Sequence, residues 1–420
     1  MNIKQILSEQ VKMISLDKKT LMKIMKVSEN FVSYLKKMLK DRKISAEVFI
    51  GGSLAKDTLV KKEKYDIDIF VRFERKYGDK KISGILGEVL GEKAKKIHGS
   101  RDYYSMLIDD ITFEVIPVLK INKSEQALNI TDLSYFHVSY VLEKIRKNKN
   151  LSDEIKLAKA FVHAQNCYGA ESYVHGFSGY AIELLICHYG SFLKFVMEIA
   201  GSDSRKKIVI DDKKFYKGSA DIIIELNESK LQSPIILIDP TYHERNALAS
   251  LRQSTFEKFK ESCKEFLANP SSDFFERKNI FKELNAEHKN LRVLSVKTTK
   301  QEGDIAGTKS RKFFEFFSSR LSREFSVRKG EFDYDEKKNS ADFYFVLGKK
   351  KDEAIRGPSI TDTENITRFK KAHPDAFIRK QFAYAKKTHN LTFERFLEVF
   401  LKKEKKVLQD MSIKEMKLIR

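Results

Sequence analysis

Gly51-Gly52-Ser53-Leu54-Ala55-Lys56-Asp57-Thr58, followed by Asp66-Ile67-Asp68, is the stretch that decides how the chain is read. Just before it, Glu47-Val48-Phe49-Ile50 reads as a short strand. Two glycines after a strand let the backbone turn tightly and approach a ligand closely. A helix starting there would offer free N–H groups, and its dipole favours phosphate. Ser53 adds a hydroxyl and Lys56 a positive charge. Taken alone, Gly-Gly-Ser is better read as an ordinary strand–turn–helix with Ser53 as N-cap.

The two aspartates change that reading. Asp66 to Phe73 reads as a strand, and strand side chains alternate faces, so Asp66 and Asp68 share one face. Ile67, Ile69 and Val71 take the other. Two carboxylates side by side repel unless a cation sits between them or both reach solvent. Hard oxygen ligands of this kind suit Mg²⁺, which keeps waters and binds phosphates. Asp-x-Asp is a common pattern and does not by itself make a metal site. A third carboxylate, Glu114, interrupts the apolar run Phe113-Glu114-Val115-Ile116-Pro117. An acidic residue inside an apolar strand needs a reason for its burial. With Asp66 and Asp68 it would complete a two-metal site; alone it is equally an edge carboxylate facing water.

Composition bounds the rest. At about 150 residues per domain, 420 residues predict about three domains. Lys+Arg 80 against Asp+Glu 59 leaves +21, which points to a polyanionic partner such as nucleic acid. Residues 276–420 hold 35 basic and 22 acidic residues, so most of the excess lies in the last third. The apolar runs are too short or too interrupted to span a bilayer. The start, Met1-Asn2-Ile3-Lys4-Gln5, lacks the order of a signal peptide. Three widely spaced cysteines, Cys167, Cys187 and Cys263, suit a reducing cytosol and give no zinc pattern. A cytoplasmic protein is expected.

Along the chain, the first 45 residues read as helical, with Leu21, Ile24, Met25, Val27, Phe31, Leu35 and Leu39 near a 3.6 period. Leu107 to Val118 holds extended segments. Leu133 to Ile145 and Ile155 to Gln165 predict amphipathic helices, and Phe177 to Phe195 a more apolar one. Ile235 to Ile238 predicts a strand before Asp239-Pro240, and Asn269-Pro270-Ser271-Ser272 a boundary. Beyond it, strands are expected at Leu291 to Val296 and Phe343 to Leu347, and helices at Arg311 to Phe325 and Phe377 to Leu408. Phe343-Tyr344-Phe345 could be a base-stacking strand, but a buried strand under helices is the better reading.

The order strand, Gly-Gly-Ser, helix, Asp-x-Asp strand, third-carboxylate strand resembles the polymerase-beta-like nucleotidyltransferase superfamily. Tyr168-Gly169-Ala170-Glu171, His175-Gly176-Phe177-Ser178-Gly179-Tyr180, Glu183-Leu184-Leu185-Ile186 and Tyr189-Gly190-Ser191-Phe192 look like the central domain of archaeal, class I CCA-adding enzymes. Asp239-Pro240, then Glu244-Arg245-Asn246-Ala247 and Ala249-Ser250-Leu251, are similar to the same family's nucleotide-recognition stretch. Ile355-Arg356-Gly357-Pro358 with Phe369 resembles its C-terminal body, whereas the far C-terminal tail does not match the family pattern. No Asp-x-x-Arg pair of the bacterial and eukaryotic class stands in order.

The resemblance implies an α+β multidomain fold: a nucleotidyltransferase palm over 1–130, a mostly helical central nucleotide-recognition domain over 131–268, and an α/β RNA-binding body with a helical tail over 269–420. It implies transfer of CMP, CMP and AMP from CTP and ATP to the tRNA 3′-hydroxyl without a nucleic-acid template, with Mg²⁺ as cofactor. The catalytic, metal-binding carboxylates would be Asp66, Asp68 and Glu114, where the family often has Glu-x-Asp and a third Asp. Glu114 would also help take the proton from the tRNA 3′-hydroxyl. Nucleotide contacts fall on Gly52, Ser53, Lys56, His137, Lys159 and Tyr168. Lys56 stands where an arginine is often found, a point charge in place of a bidentate grip. On spacing alone Lys159 is a solvated helix lysine, Tyr168 a core aromatic and His137 a satisfied helix histidine. Arg245 would select the base, with Glu244 orienting it; without the resemblance the two are a surface pair on a loop. The basic last third would bind the acceptor stem and TΨC loop of tRNA, and relatives form homodimers. The other readings are a poly(A)-type or other terminal RNA nucleotidyltransferase, a non-catalytic RNA-binding protein, or an antibiotic-modifying nucleotidyltransferase.

Overall fold

The computed structural model describes residues 2–277, 279–299 and 302–420. Two helices open the chain, α1 (Ile3–Ile14) and α2 (Lys18–Asp41), each capped by an acceptor side chain, Asn2 and Asp17. Then follow β1 (Ala46–Ile50), the single turn α3 (Gly52–Ala55), β2 (Tyr65–Phe73), α4 (Asp79–Leu90), β3 (Lys95–Ile97), β4 (Tyr103–Ile108) and β5 (Ile111–Leu119). The five strands form one sheet in the order β1-β2-β5-β4-β3, with β2 and β5 parallel and the other pairs antiparallel.

Alternation along β2 and β5 gives this sheet two unlike faces. Ile67, Ile69, Val71 and Phe73, with Phe113 and Val115, bury against Phe31, Leu35 and Leu39 of α2 and Ile82 and Leu86 of α4. Asp66, Asp68 and Glu114 lie on the other face. An apolar layer thus holds one side rigid while the carboxylates are presented on the other.

A second core lies in the helices that follow: α5 (Ser134–Lys147), α6 (Leu151–Ala164), α7 (Gly179–Tyr189), α8 (Phe192–Gly201) and, later, α11 (Gln253–Ala268). Its centre is a group of rings, Phe161, Phe177, Phe192, Phe195, Phe259 and Phe266, all fully buried. Between α8 and α11 run β6 (Ile208–Ile210), α9 (Ser219–Glu225), α10 (Glu228–Leu231), β7 (Ile235–Asp239) and β8 (Tyr242–Asn246). These strands pair in the order β6-β7-β8. Ile3, Leu7, Val11 and Ile14 of α1 pack on this second core rather than on the first.

The expected helix from Phe177 to Phe195 is two helices, bent 93° apart. Gly190 takes a left-handed φ of +80° and closes α7, and the Ser191 hydroxyl caps α8. Among the described residues no single helix is long and apolar enough to cross a membrane.

Compactness divides the chain into two units: 1–170 with 174–277, and 171–173 with 278–420. Asn269-Pro270 does not mark the division, because Phe274 and Phe275 still pack on the second core. The second unit comprises α12 (Ile280–Glu287), β9 (Leu291–Thr298), α13 (Gly303–Leu321), β10 (Phe325–Asp335), β11 (Ser340–Lys349), β12 (Glu353–Ser359), α14 (Thr363–Ala372), β13 (Phe377–Arg379), β14 (Phe382–Lys387), α15 (Phe393–Lys403), α16 (Lys405–Asp410) and β15 (Ile413–Leu418). Its sheets run β10-β11-β9-β15 and β12-β14-β13.

Three expectations change here. Arg311 to Phe325 is the end of a longer helix, and Phe325 already begins β10. Residues 377–387 are two strands, not helix: Ala383 and Ala385 are buried on one face, the two-residue period of a strand. The chain ends in strand β15, paired with β9, so helices do not make up the whole tail. Phe343, Tyr344 and Phe345 are buried and offer no base a stacking surface.

Candidate active site

The site is built from the open face of β2 and β5 outward. Asp68 and Glu114 are register partners on the two parallel strands, and Asp66 stands one rung away opposite Thr112. Paired residues of neighbouring strands share a face, so the three carboxylates line one patch. Gly52 is fitted to them. Its φ is +57°, and a Cβ there would fall 1.6 Å from Oδ2 of Asp68. A Cβ on Gly51 would fall 2.3 Å from the Phe70 ring, and the Gly51 N–H donates to the Asp68 carbonyl at 2.8 Å. α3 is a single turn, so the helix dipole expected after the glycines is slight. What the glycines provide is close packing on Asp68.

Asp68 is half-buried and Asp66 exposed. Burial pushes the Asp68 carboxyl above its usual range, Lys56 opposes that push, and the charge of Asp66 adds to it. Among the described residues, no hydrogen bond or ion pair is made by the side-chain carboxylates of Asp66 and Asp68. Adjacent carboxylates without a protein donor suit a hard divalent cation. No group of three carboxylate, imidazole or thiol residues closes around a metal among the described residues. A cation here would complete its shell with phosphate and water, as Mg²⁺ does.

Lys56 and Lys159 converge on a residue that sequence reading did not single out. Glu183, from α7, is 1% exposed. Its Oε2 accepts from Lys56 Nζ at 2.6 Å, and its Oε1 from Lys159 Nζ at 2.7 Å and Thr58 Oγ1 at 3.1 Å. Lys159 Nζ also donates to Thr58 Oγ1 at 2.9 Å. Lys159 is therefore buried, not a solvated helix lysine. Two ammonium groups on one carboxylate leave a surplus positive charge beneath Asp68. Burial would raise the Glu183 carboxyl, but Lys159 and Lys56 bring it down to about 2. Burial lowers Lys159, partly offset by Glu183.

A second buried carboxylate organises the other side. Asp239 ends β7, and a Pro240-Thr241 turn leads into β8, which carries Arg245. Arg245 Nη1 donates to Asp239 Oδ2 at 2.6 Å, and its guanidinium lies 5.6 Å from the centre of the Tyr180 ring. His137, from α5, stacks on the same ring at 4.0 Å and sets Nε2 3.1 Å from Asp239 Oδ2, off the hydrogen-bonding direction. Burial pushes the imidazole down, Asp239 partly restores it, and Arg245 and Lys56 lower it further. Against the upward push of burial, His137 and Arg245 hold the Asp239 carboxyl well below its ordinary value. Lys56 acts electrostatically on both Asp68 and His137, so the two buried groups belong to one neighbourhood.

Tyr168 is 37% exposed and hence no core aromatic. Its hydroxyl lies against Gly179, in the first turn of α7, beside Tyr180. Glu244 is exposed and accepts from the Tyr242 hydroxyl at 3.0 Å. It alternates with Arg245 along β8, and it is Asp239, not Glu244, that accepts from the Arg245 guanidinium.

Known proteins match this arrangement. A family profile described as "Nucleotidyltransferase domain" matches residues 32–134, and one described as "tRNA nucleotidyltransferase, second domain" matches residues 153–276. The CCA-adding enzyme of Nanoarchaeum equitans is 40% identical over 213 residues, 50% of this chain and 52% of that enzyme. The CCA-adding enzyme of Methanocaldococcus jannaschii is 27% identical over 418 residues, 95% of this chain and 91% of that enzyme. The chain is similar to archaeal CCA-adding enzymes, in one case over nearly its whole length. The match to the Nanoarchaeum equitans enzyme spans only about half its length, at 52%. Among solved structures, the Cid1 poly(U) polymerase superposes with a TM-score of 0.51 at 13% identity, covering 65% of this chain and 98% of that one. That likeness is one of fold, a polymerase-beta-like nucleotidyltransferase with further α+β structure.

Sequence reading missed Glu183 and Thr58 as partners of the lysines, and Asp239 as the partner of Arg245. Glu183 stands in an apolar helix, Ala181-Ile182-Glu183-Leu184-Leu185-Ile186. A lone carboxylate in such a run was the signal available.

Proposed function

We propose that this chain builds and repairs the 3′-terminal CCA of tRNA, transferring CMP, CMP and AMP from CTP and ATP and releasing pyrophosphate. The observation that carries the reading is the pairing of Asp68 with Glu114 on parallel strands, with Asp66 on the same face and two buried lysines behind them. Asp66, Asp68 and Glu114 would hold Mg²⁺, which when bound lowers the pKa of the attacking hydroxyl and neutralises the triphosphate. Glu114 also takes the proton from the tRNA 3′-hydroxyl.

The remaining residues bind and orient. Gly52 brings backbone close to the nucleotide, and Ser53 donates its hydroxyl to the triphosphate. Lys56 and Lys159 supply positive potential, strengthened by their burial. Tyr168 contacts the triphosphate and His137 the nucleotide. Arg245 reads the incoming base: a planar, permanently charged fork satisfies acceptors on cytosine or adenine and meets the donor-rich edges of other bases poorly. The basic unit after residue 278 grips the acceptor stem and TΨC loop through phosphates and 2′-hydroxyls. The enzyme works in the cytoplasm as a homodimer.

Asp68→Asn tests this. It should abolish nucleotide incorporation into tRNA while leaving tRNA affinity in a filter-binding assay within about twofold, since phosphate contacts elsewhere set that affinity. Full activity in Asp68→Asn would remove the carboxylate row from the reaction.

A further inference from the structure

We propose that Asp239 is a positioning residue for nucleotide choice, fixing the guanidinium of Arg245 before the nucleotide arrives. The proposal rests on the base-reading role given to Arg245 above.

Asp239 is fully buried, and its two oxygens are used differently. Oδ1 accepts from the Tyr180 hydroxyl at 3.0 Å, from the Thr241 N–H at 2.8 Å and from the Thr241 hydroxyl at 2.7 Å. Three donors from a helix and a turn fix the plane of the carboxylate. Oδ2 then points at Arg245 Nη1, 2.6 Å away. Oδ1 is thus crowded by three donors, while Oδ2 faces Arg245 and, 3.1 Å away but off the hydrogen-bonding direction, His137 Nε2.

Arg245 is held on a second side by the Tyr180 ring, on which His137 also stacks. The same tyrosine therefore orders both the carboxylate, through its hydroxyl, and the guanidinium, through its ring. Arg245 is 23% exposed at its side chain where Asp239 is 0%, so the anchored end lies inside and the rest of the fork reaches outward. A guanidinium carries five N–H donors, and one contact to Asp239 leaves others for a base. A fork fixed in advance loses little conformational freedom on binding. A fork left to swing would meet either base in several geometries and discriminate less.

The test uses the full-length enzyme and a tRNA that already ends in both cytidines. The ratio of kcat/KM for ATP to that for CTP is measured for wild type, Asp239→Asn, Arg245→Ala and the double variant. Asparagine keeps the shape and the Oδ1 acceptor and removes the charge. The expected ratio in Asp239→Asn falls about tenfold or more, the size of a lost hydrogen bond to a charged group. The double variant should be no worse than Arg245→Ala, because the two residues act as one unit, and tRNA affinity should not move. A double variant showing the two losses added, or a ratio unchanged in Asp239→Asn while Arg245→Ala lowers it, overturns the proposal. An unchanged ratio in Arg245→Ala removes the base-reading role itself. In either case the wild-type protein with ¹⁵N-labelled arginine gives an independent reading that does not need Asp239→Asn to fold. Separate, slowly exchanging Nη protons for Arg245, assigned by their loss in Arg245→Lys, support a fixed fork. A single averaged signal from a freely rotating guanidinium overturns it.

Discussion

Glu183 shows what burial does to a single side chain. Its carboxyl sits at about 2, below an ordinary 4.5, because two ammonium groups outweigh the cost of burial. A carboxyl lowered on folding stabilises the protein above its unfolded pKa and loses that contribution as pH falls toward the folded one. Stability should therefore drop between pH 4.5 and about 2. The shift corresponds to about 3 kcal/mol at neutral pH. Glu183→Gln should unfold at lower denaturant at pH 7 by an amount of that order, and the difference should shrink as the pH approaches 2. Chemical denaturation at several pH values reads this directly; a constant difference would mean that packing, not charge, is what Glu183 supplies. The partnerships of Glu183 are not local in sequence, whereas Arg245 lies 6 residues from Asp239. Glu183 lies 127 residues from Lys56, and Tyr180 lies 59 from Asp239. Residue types could be named as candidates from sequence, but which carboxylate neutralised which cation could not.

At the scale of elements, two glycines separate backbone strain from collision. Gly190 closes α7 at φ +80°, and an added Cβ there meets nothing within 4 Å. Gly52 has a similar positive φ but would collide with Asp68. Gly190→Ala should cost only the left-handed backbone, about 1 kcal/mol, with incorporation kept. Gly52→Ala should cost more and lose incorporation, because Asp68 must move. Thermal unfolding and primer extension on the same preparations distinguish the two; equal activity in both would separate Gly52 from the carboxylates. Elements with a clean period were legible in sequence: β2 and β5 alternate, and α2 repeats near 3.6. The expected helix over 177–195 failed at Gly190-Ser191, a left-handed stop and a new cap inside an apolar run. The expected helix at 377–408 holds over 393–403 and 405–408 but fails over 377–387, where lysines along β14 masked an alternation that buries only two alanines.

For the whole molecule, each unit has its own core, but the excess charge is unevenly spread. The first unit holds the candidate site, and residues 276–420, nearly all of them in the second, carry 35 basic residues against 22 acidic ones. Binding to tRNA through that surface should release counterions. Affinity should fall about tenfold or more for a fourfold rise in salt, the response of roughly two neutralised phosphates. A flat salt response would leave the excess charge without a role in RNA binding. The composition of the last third made this surface legible without its fold; its strand order depends on pairings that no local pattern encodes.

Nucleotide incorporation into a tRNA ending at the discriminator base tests the central claim most directly. Labelled CTP and ATP are offered separately and together with Mg²⁺, and the products are sized on a gel. The account predicts two additions with CTP alone and a third only when ATP is also present. Long adenylate tracts from ATP alone, or no incorporation into any RNA, would contradict it.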